Sequence, residues 1–84
     1  MIFLVLEAQA TIDTKKYTTI TAWVNNNNQN TALTLISEHL ASNGWQITHI
    51  VECDETKITD YFPPCKSLDA YKEAEIKGFA IRYS

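Results

Sequence analysis

Apolar and polar positions alternate at two different periods along this chain, and the switches between them mark out its elements. The opening run Ile2-Phe3-Leu4-Val5-Leu6 is too short for a helix and ends at Glu7, so a strand is predicted from Ile2 to about Gln9. After the polar stretch Thr11 to Lys16, Tyr17 to Val24 is rich in β-branched and aromatic residues, which suit a pleated surface. Period-two alternation puts Ile20, Ala22 and Val24 on one face and Tyr17, Thr19, Thr21 and Trp23 on the other. The first two strands read as a hairpin.

The period then lengthens. Asn25 to Asn28 is a run of four asparagines followed by Gln29 and Asn30, a composition favoured at caps and turns, with Asn28 or Asn30 as the N-cap. Ala32, Leu33, Ile36 and Leu40 line one helical face, while Thr34, Ser37, Glu38 and Ala41 lie opposite, and Asn43-Gly44 ends the helix. A third strand follows from Trp45 to Cys53; strict alternation places Trp45, Ile47, His49, Val51 and Cys53 on one face. Asp54 to Cys65 is a polar connection in which Tyr61 and Phe62 pack back on the core and Pro63-Pro64 forbid a regular helix. Ser67 can cap a second helix with Leu68, Tyr71 and Ala74 inward and Ile76 off that face; Gly78 stops it, and Phe79 to Tyr83 is a last strand.

The order is therefore ββαβαβ over one domain, residues 1–84. Four strands and two helices in so short a chain imply an α+β two-layer sandwich, a four-stranded sheet with both helices on one face. Strand–helix–strand passages should be right-handed crossovers wherever their strands are parallel. Gly44-Trp45-x-Ile47-x-x-Ile50, then Ile58-Thr59-Asp60-Tyr61, then Tyr71-x-x-Ala74-x-x-x-Gly78 and a terminal strand resembles small, uncharacterised bacterial proteins built like the ferredoxin-like α/β plait. The resemblance covers the C-terminal half, rests on packing residues and implies a fold but no catalytic residue. The leading hairpin departs from the plait's usual strand-helix-strand start.

Composition narrows the functions on offer. A single core of this size buries roughly 60–65% of the surface its unfolded chain exposes, so a partner covering an apolar face would help it appreciably. The net charge is −3, and the seven basic residues are scattered, with only Lys15 and Lys16 adjacent. Neither nucleic acid nor an anionic membrane surface is an expected partner, since both require concentrated positive charge. The apolar start lacks the preceding cation and the length of an export signal, and no stretch approaches a membrane span, so a cytoplasmic location is expected. Cys53 and Cys65 would stay reduced there.

Candidate chemistry is sparse. His49, Cys53 and Cys65, with His39, form the sharpest constellation, but positions 49 and 53 sit roughly 13 Å apart along a strand. Closely paired cysteines, the usual zinc signature, are missing, so no metal and no cofactor is expected. Only two glycines occur, Gly44 and Gly78, which excludes glycine-rich phosphate loops. The acidic residues Glu52, Asp54, Glu55 and Asp60 lack the spacing and glycine of a calcium loop. Cys65, beside Lys66 and a predicted helix start, has the electrostatics of an activated thiol, and a ligand cleft or small enzyme site would gather His49, Tyr61 and Cys65.

The alternative to catalysis is an interaction surface. With both helices on one face, the other would carry Phe3, Val5, Tyr17, Trp23 and Ile50 interleaved with Thr19, Thr21 and Arg82. A contiguous apolar face with aromatics and arginine suits an interface core. The leading expectation is a non-catalytic interaction module, a homodimer or a binder of another protein, joined through the open sheet face or a sheet edge.

Overall fold

The computed structural model describes residues 1–61 and 66–83. In chain order the elements are β1 (Ile2–Ala10), β2 (Tyr17–Val24), α1 (Gln29–Ser42), β3 (Trp45–Glu55), a short 3-10 turn (Ile58–Tyr61), α2 (Lys66–Lys77) and β4 (Phe79–Tyr83). The strands form one sheet in the order β3-β1-β2-β4, every neighbouring pair antiparallel. A small α+β domain with four strands and two helices is thus what the hydrophobic pattern predicted. Because β1 opposes both of its neighbours, β2 and β3 run in the same direction with β1 between them. The β2–α1–β3 passage is therefore a split strand–helix–strand unit. From β3 the chain passes through α2 to the opposite edge, where β4 runs against β3's direction.

The alternation of β1 explains the layering. Ile2, Leu4, Leu6 and Ala8 are fully buried on one face, and the register aligns the first three with Val24, Ala22 and Ile20 of β2. Ala32, Ile36 and Leu40 of α1 close over this face, with Leu33, Trp45, Ile47, Phe79 and Ile81 around the rim. The odd residues of β1 face the other way, and there Trp23, Ala80 and Phe3 meet Ala70 and Ala74 of α2. The two helices consequently lie on opposite faces, which corrects the expected two-layer arrangement with both helices on one side. The physical reason is that β1 is apolar on both faces, so each face needed its own cover. Alanines at 70 and 74 let α2 approach the bulky Trp23 closely.

Local signals account for the boundaries. Asn28 is the N-cap of α1, its side chain accepting from Thr31 N at 3.0 Å, and Asn26 Oδ1 accepts from Asn28 N at 2.7 Å. Gly44 and Gly78 both have positive φ, +83° and +96°, conformations that other residues enter only at a cost. Gly78 N donates to Ala74 O and Gly78 O accepts from Asn25 N, tying the end of α2 to the asparagine run. Ser67 sits inside the first turn of α2, which begins at Lys66, so it is not the cap expected of it. Ala70 joins Ala74 as the most buried residue of α2, Leu68 and Tyr71 are half-buried, and Ile76 is exposed. Residues Asp54 and Glu55, expected in the loop, extend β3.

The third strand departs from strict alternation. Its pairing with β1 shifts register between Val5 and Leu6 and again between Glu7 and Ala8. Trp45, Ile47 and Cys53 do pack against the α1-side core. His49, however, stands opposite Glu7 and is exposed, and Val51 falls out of the pairing. The expected shared face of Trp45, Ile47, His49, Val51 and Cys53 is corrected accordingly: each bulge adds one residue and reverses the alternation beyond it.

Candidate functional site

Two places in the fold concentrate side chains that could recognise something: the α2 side of the sheet and the free edge of β3. The α2 side is built around Trp23, which alternation in β2 directs away from α1. Its ring packs 5.3 Å, centroid to centroid, from Phe3, tilted by 56°. Its Nε1 donates to Tyr61 Oη at 2.9 Å, and Tyr61 packs in turn on Tyr71 of α2 at 5.5 Å. Thr56 Oγ1 lies 2.9 Å from Tyr61 Oη and 3.0 Å from Asp60 Oδ2. With one proton on each hydroxyl, a chain from the indole through both hydroxyls to the carboxylate satisfies every member.

The electrostatics follow from these contacts. Asp60 accepts from Lys57 N at 2.8 Å as well as from Thr56, and those two bonds, the backbone one foremost, hold its carboxyl below the ordinary carboxylate range. Burial, followed by the charge of Glu75, pushes the Tyr71 hydroxyl up. Burial likewise raises the Cys53 thiol, assisted by neighbouring Asp54, the direction opposite to that of an activated thiol.

This arrangement reassigns several sequence-predicted site residues. Trp23 is only 3% exposed and Phe3 is half-buried beside it, so two of the three aromatic anchors expected on an open face are covered by the chain's own α2. Arg82 is engaged with Glu73 of α2 at 3.4 Å, an exposed pair of the kind worth about 0–1 kcal/mol. Val5 is half-buried between Thr21 and Glu52. Of Phe3, Tyr17 and Trp23, Tyr17 remains open, at the far end of β2 opposite Gln9. The rest of that face is polar, with Glu7, Thr19, His49 and Glu52 exposed. The apolar face expected from the pattern is therefore an aromatic cluster under a helix, continued by a solvated surface.

The alternative cleft is not assembled by the described residues. Tyr61 belongs to the Phe3 and Trp23 end, whereas His49 stands opposite Glu7, four residues further along β1. Cys65 lies outside the described residues, as do Phe62, Pro63 and Pro64. His39 packs edge-on against Phe79 at 5.0 Å. Among the described residues no three His, Cys, Asp or Glu side chains gather as a metal site would require. A shallow, mostly apolar recess of about 280 Å³ does open between the 3-10 turn and α2, lined by Ile58, Thr59, Tyr61, Leu68 and Lys72.

The second place is an edge. Among the described residues the outer side of β3 has no neighbour over eleven residues, while the β4 edge is five residues long. At the middle of the β3 edge Ile50 is 42% and Val51 53% exposed. Ile50, expected on the face of Phe3 and Trp23, instead stands opposite Leu6 and so on the α1 side, and Val51, expected on a shared inner face, is at the surface, because nothing in the residue types announces a bulge. The acidic residues Glu52, Asp54 and Glu55 occupy one end of this strand, and Trp45 to Thr48, without charge, the other.

Fold and geometry define a small α+β domain with an open antiparallel sheet, and among the described residues no helix is long and apolar enough to cross a membrane. Comparison with protein-family models, with curated proteins and with solved structures found no significant match.

Proposed function

We propose that this chain is a non-catalytic interaction module that forms a homodimer in the cytoplasm, through the free edge of β3. The observation that carries the reading is the adjacent exposure of Ile50 and Val51 at the centre of an eleven-residue edge strand that pairs with β1 on one side only among the described residues. Unpaired edges with apolar side chains recruit further strands. Antiparallel pairing about this centre would set the acidic end of each β3 against the uncharged end of the partner's, whereas parallel pairing would stack like charges. A two-fold pairing also closes on itself, leaving only the short β4 edges outside. The two bulges of β3 limit how far such pairing can run, which favours a pair over an open-ended stack.

Light scattering across a dilution series tests this directly. The parent protein should show a dimer mass that falls at low concentration, and Val51→Lys should give a folded monomer. Because Val51 is exposed and outside the core, that substitution should change stability by less than about 0.5 kcal/mol. A parent that is monomeric at every concentration, or a Val51→Lys dimer of unchanged strength, would overturn the reading. A second reading, a small ligand binder, draws support from the apolar recess beside Tyr61. Saturable binding of a small apolar dye that is abolished by Leu68→Glu would favour it.

A further inference from the structure

We propose that Asn43–Gly44 is a site of spontaneous deamidation, and that the C-cap of α1 controls its rate. Of the two glycines, Gly44 is the one that follows an asparagine; Gly78 follows Lys77. In such a pair the backbone nitrogen of the glycine can attack the asparagine Cγ, because the glycine has no side chain to obstruct the approach. The amide proton passes to water or hydroxide, the Cγ–N bond forms, the Cγ–Nδ2 bond breaks and ammonia leaves. Water then opens the cyclic imide at either carbonyl, giving aspartate or isoaspartate, so that one water is consumed and one ammonia released.

The nucleophile and the leaving group of that sequence are both hydrogen-bonded in the fold. Gly44 N, the nucleophile, donates to Ala41 O at 3.2 Å. Asn43 Nδ2, the leaving group, donates to His39 O at 2.8 Å. Asn43 itself has φ −102° and ψ 10°, which turns Gly44 N away from Cγ. Gly44 O is held from the other side by Thr11 N at 2.9 Å and Thr11 Oγ1 at 3.3 Å. Attack requires rotation about Asn43 ψ, and that rotation breaks the cap and pulls on the Thr11 tie. Asn43 is nonetheless exposed, so water has access as soon as the cap opens. The conversion also weakens the cap in the product. A carboxylate at position 43 loses the donation to His39 O and adds negative charge at the negative end of the helix dipole. Isoaspartate would further insert a methylene into the backbone where α1 hands over to β3.

The experiment follows the full chain at mildly alkaline pH, with peptide mapping for the gain of mass at residue 43 and enzymatic methylation to count isoaspartate. The native protein should convert at least about tenfold more slowly than the same chain unfolded in urea, the expected protection from an opening equilibrium. At urea concentrations below the unfolding transition, conversion should accelerate in step with hydrogen exchange of the Gly44 amide. Equal rates in native and unfolded chains would overturn the gating, as would acceleration that does not follow Gly44 exchange. An unfolded chain that loses ammonia from Asn25 to Asn28 before Asn43 would overturn the site itself.

Discussion

The position of α2 on the second face of the sheet rests on Trp23, and removing that side chain should show how much. Trp23 is 3% exposed and packed among Phe3, Ala70, Ala74 and Ala80. Truncating a buried tryptophan to alanine costs about 3–5 kcal/mol, while a chain of this length has about 4–12 kcal/mol in all. Trp23→Ala should therefore leave the protein marginally folded or unfolded. Trp23→Phe is the more informative variant. It keeps a ring against Phe3 but deletes the donor to Tyr61 Oη, at about 1 kcal/mol for the bond and about 1 kcal/mol for lost volume. Tyr61→Phe removes the acceptor and leaves the indole N–H without its partner, at about 1–3 kcal/mol. Urea unfolding of both single variants and the double variant, followed by far-UV circular dichroism so that the readout does not depend on the residue removed, closes the cycle. A coupling of about 0.5–1.5 kcal/mol is expected for a direct bond of this length. Additive costs would refute the bond, and a Trp23→Ala protein that unfolds within about 1 kcal/mol of the parent would refute the docking of α2 on this face.

Two further outcomes follow from the caps and the Asp60 network. Asn28→Ala removes the acceptor for Thr31 N and should lower stability by about 1 kcal/mol, read as a shifted urea midpoint at constant slope, whereas Asn30→Ala, exposed and not the cap, should change little. Asp60 has its folded carboxyl held down by Lys57 N and Thr56, so its contribution is complete above the unfolded carboxylate range and is lost as pH falls through the lower folded value. Melting temperature followed from neutral pH into acid should therefore drop less steeply in Asp60→Asn than in the parent; identical acid limbs would remove Asp60 from the account.

Much of the local structure was written in residue types. The β-branched run Tyr17 to Val24 could only alternate, and its even residues from Ile20 onward are the buried ones on the α1 side. The asparagine run and Asn43-Gly44 bracketed α1 because capping and positive φ are properties of single residues and their nearest neighbours. Even the misfit of Ile76 was legible, and it is exposed.

The functional surface was not legible in the same way. Phe3, Val5 and Trp23 have the chemistry of an interface, and pattern alone cannot say whether such residues meet a partner or the chain's own helix. Their fate depended on where α2 crosses, which Ala70 and Ala74 settle through close packing against Trp23, a contact between residues about fifty positions apart. His49 and Val51 were misplaced for a different reason: bulges arise from the fit of β3 to β1, not from the residues of β3.

Periodicity, caps and turn chemistry thus determined which segments became strands and helices and where each stopped, because those preferences act over a few residues. The order β3-β1-β2-β4, the placement of the helices on opposite faces and the exposure of Ile50 and Val51 on a free edge were decided only by tertiary packing. With β1 apolar on both faces, local pattern was satisfied by covering either face first, and only the burial of both at once selects one arrangement.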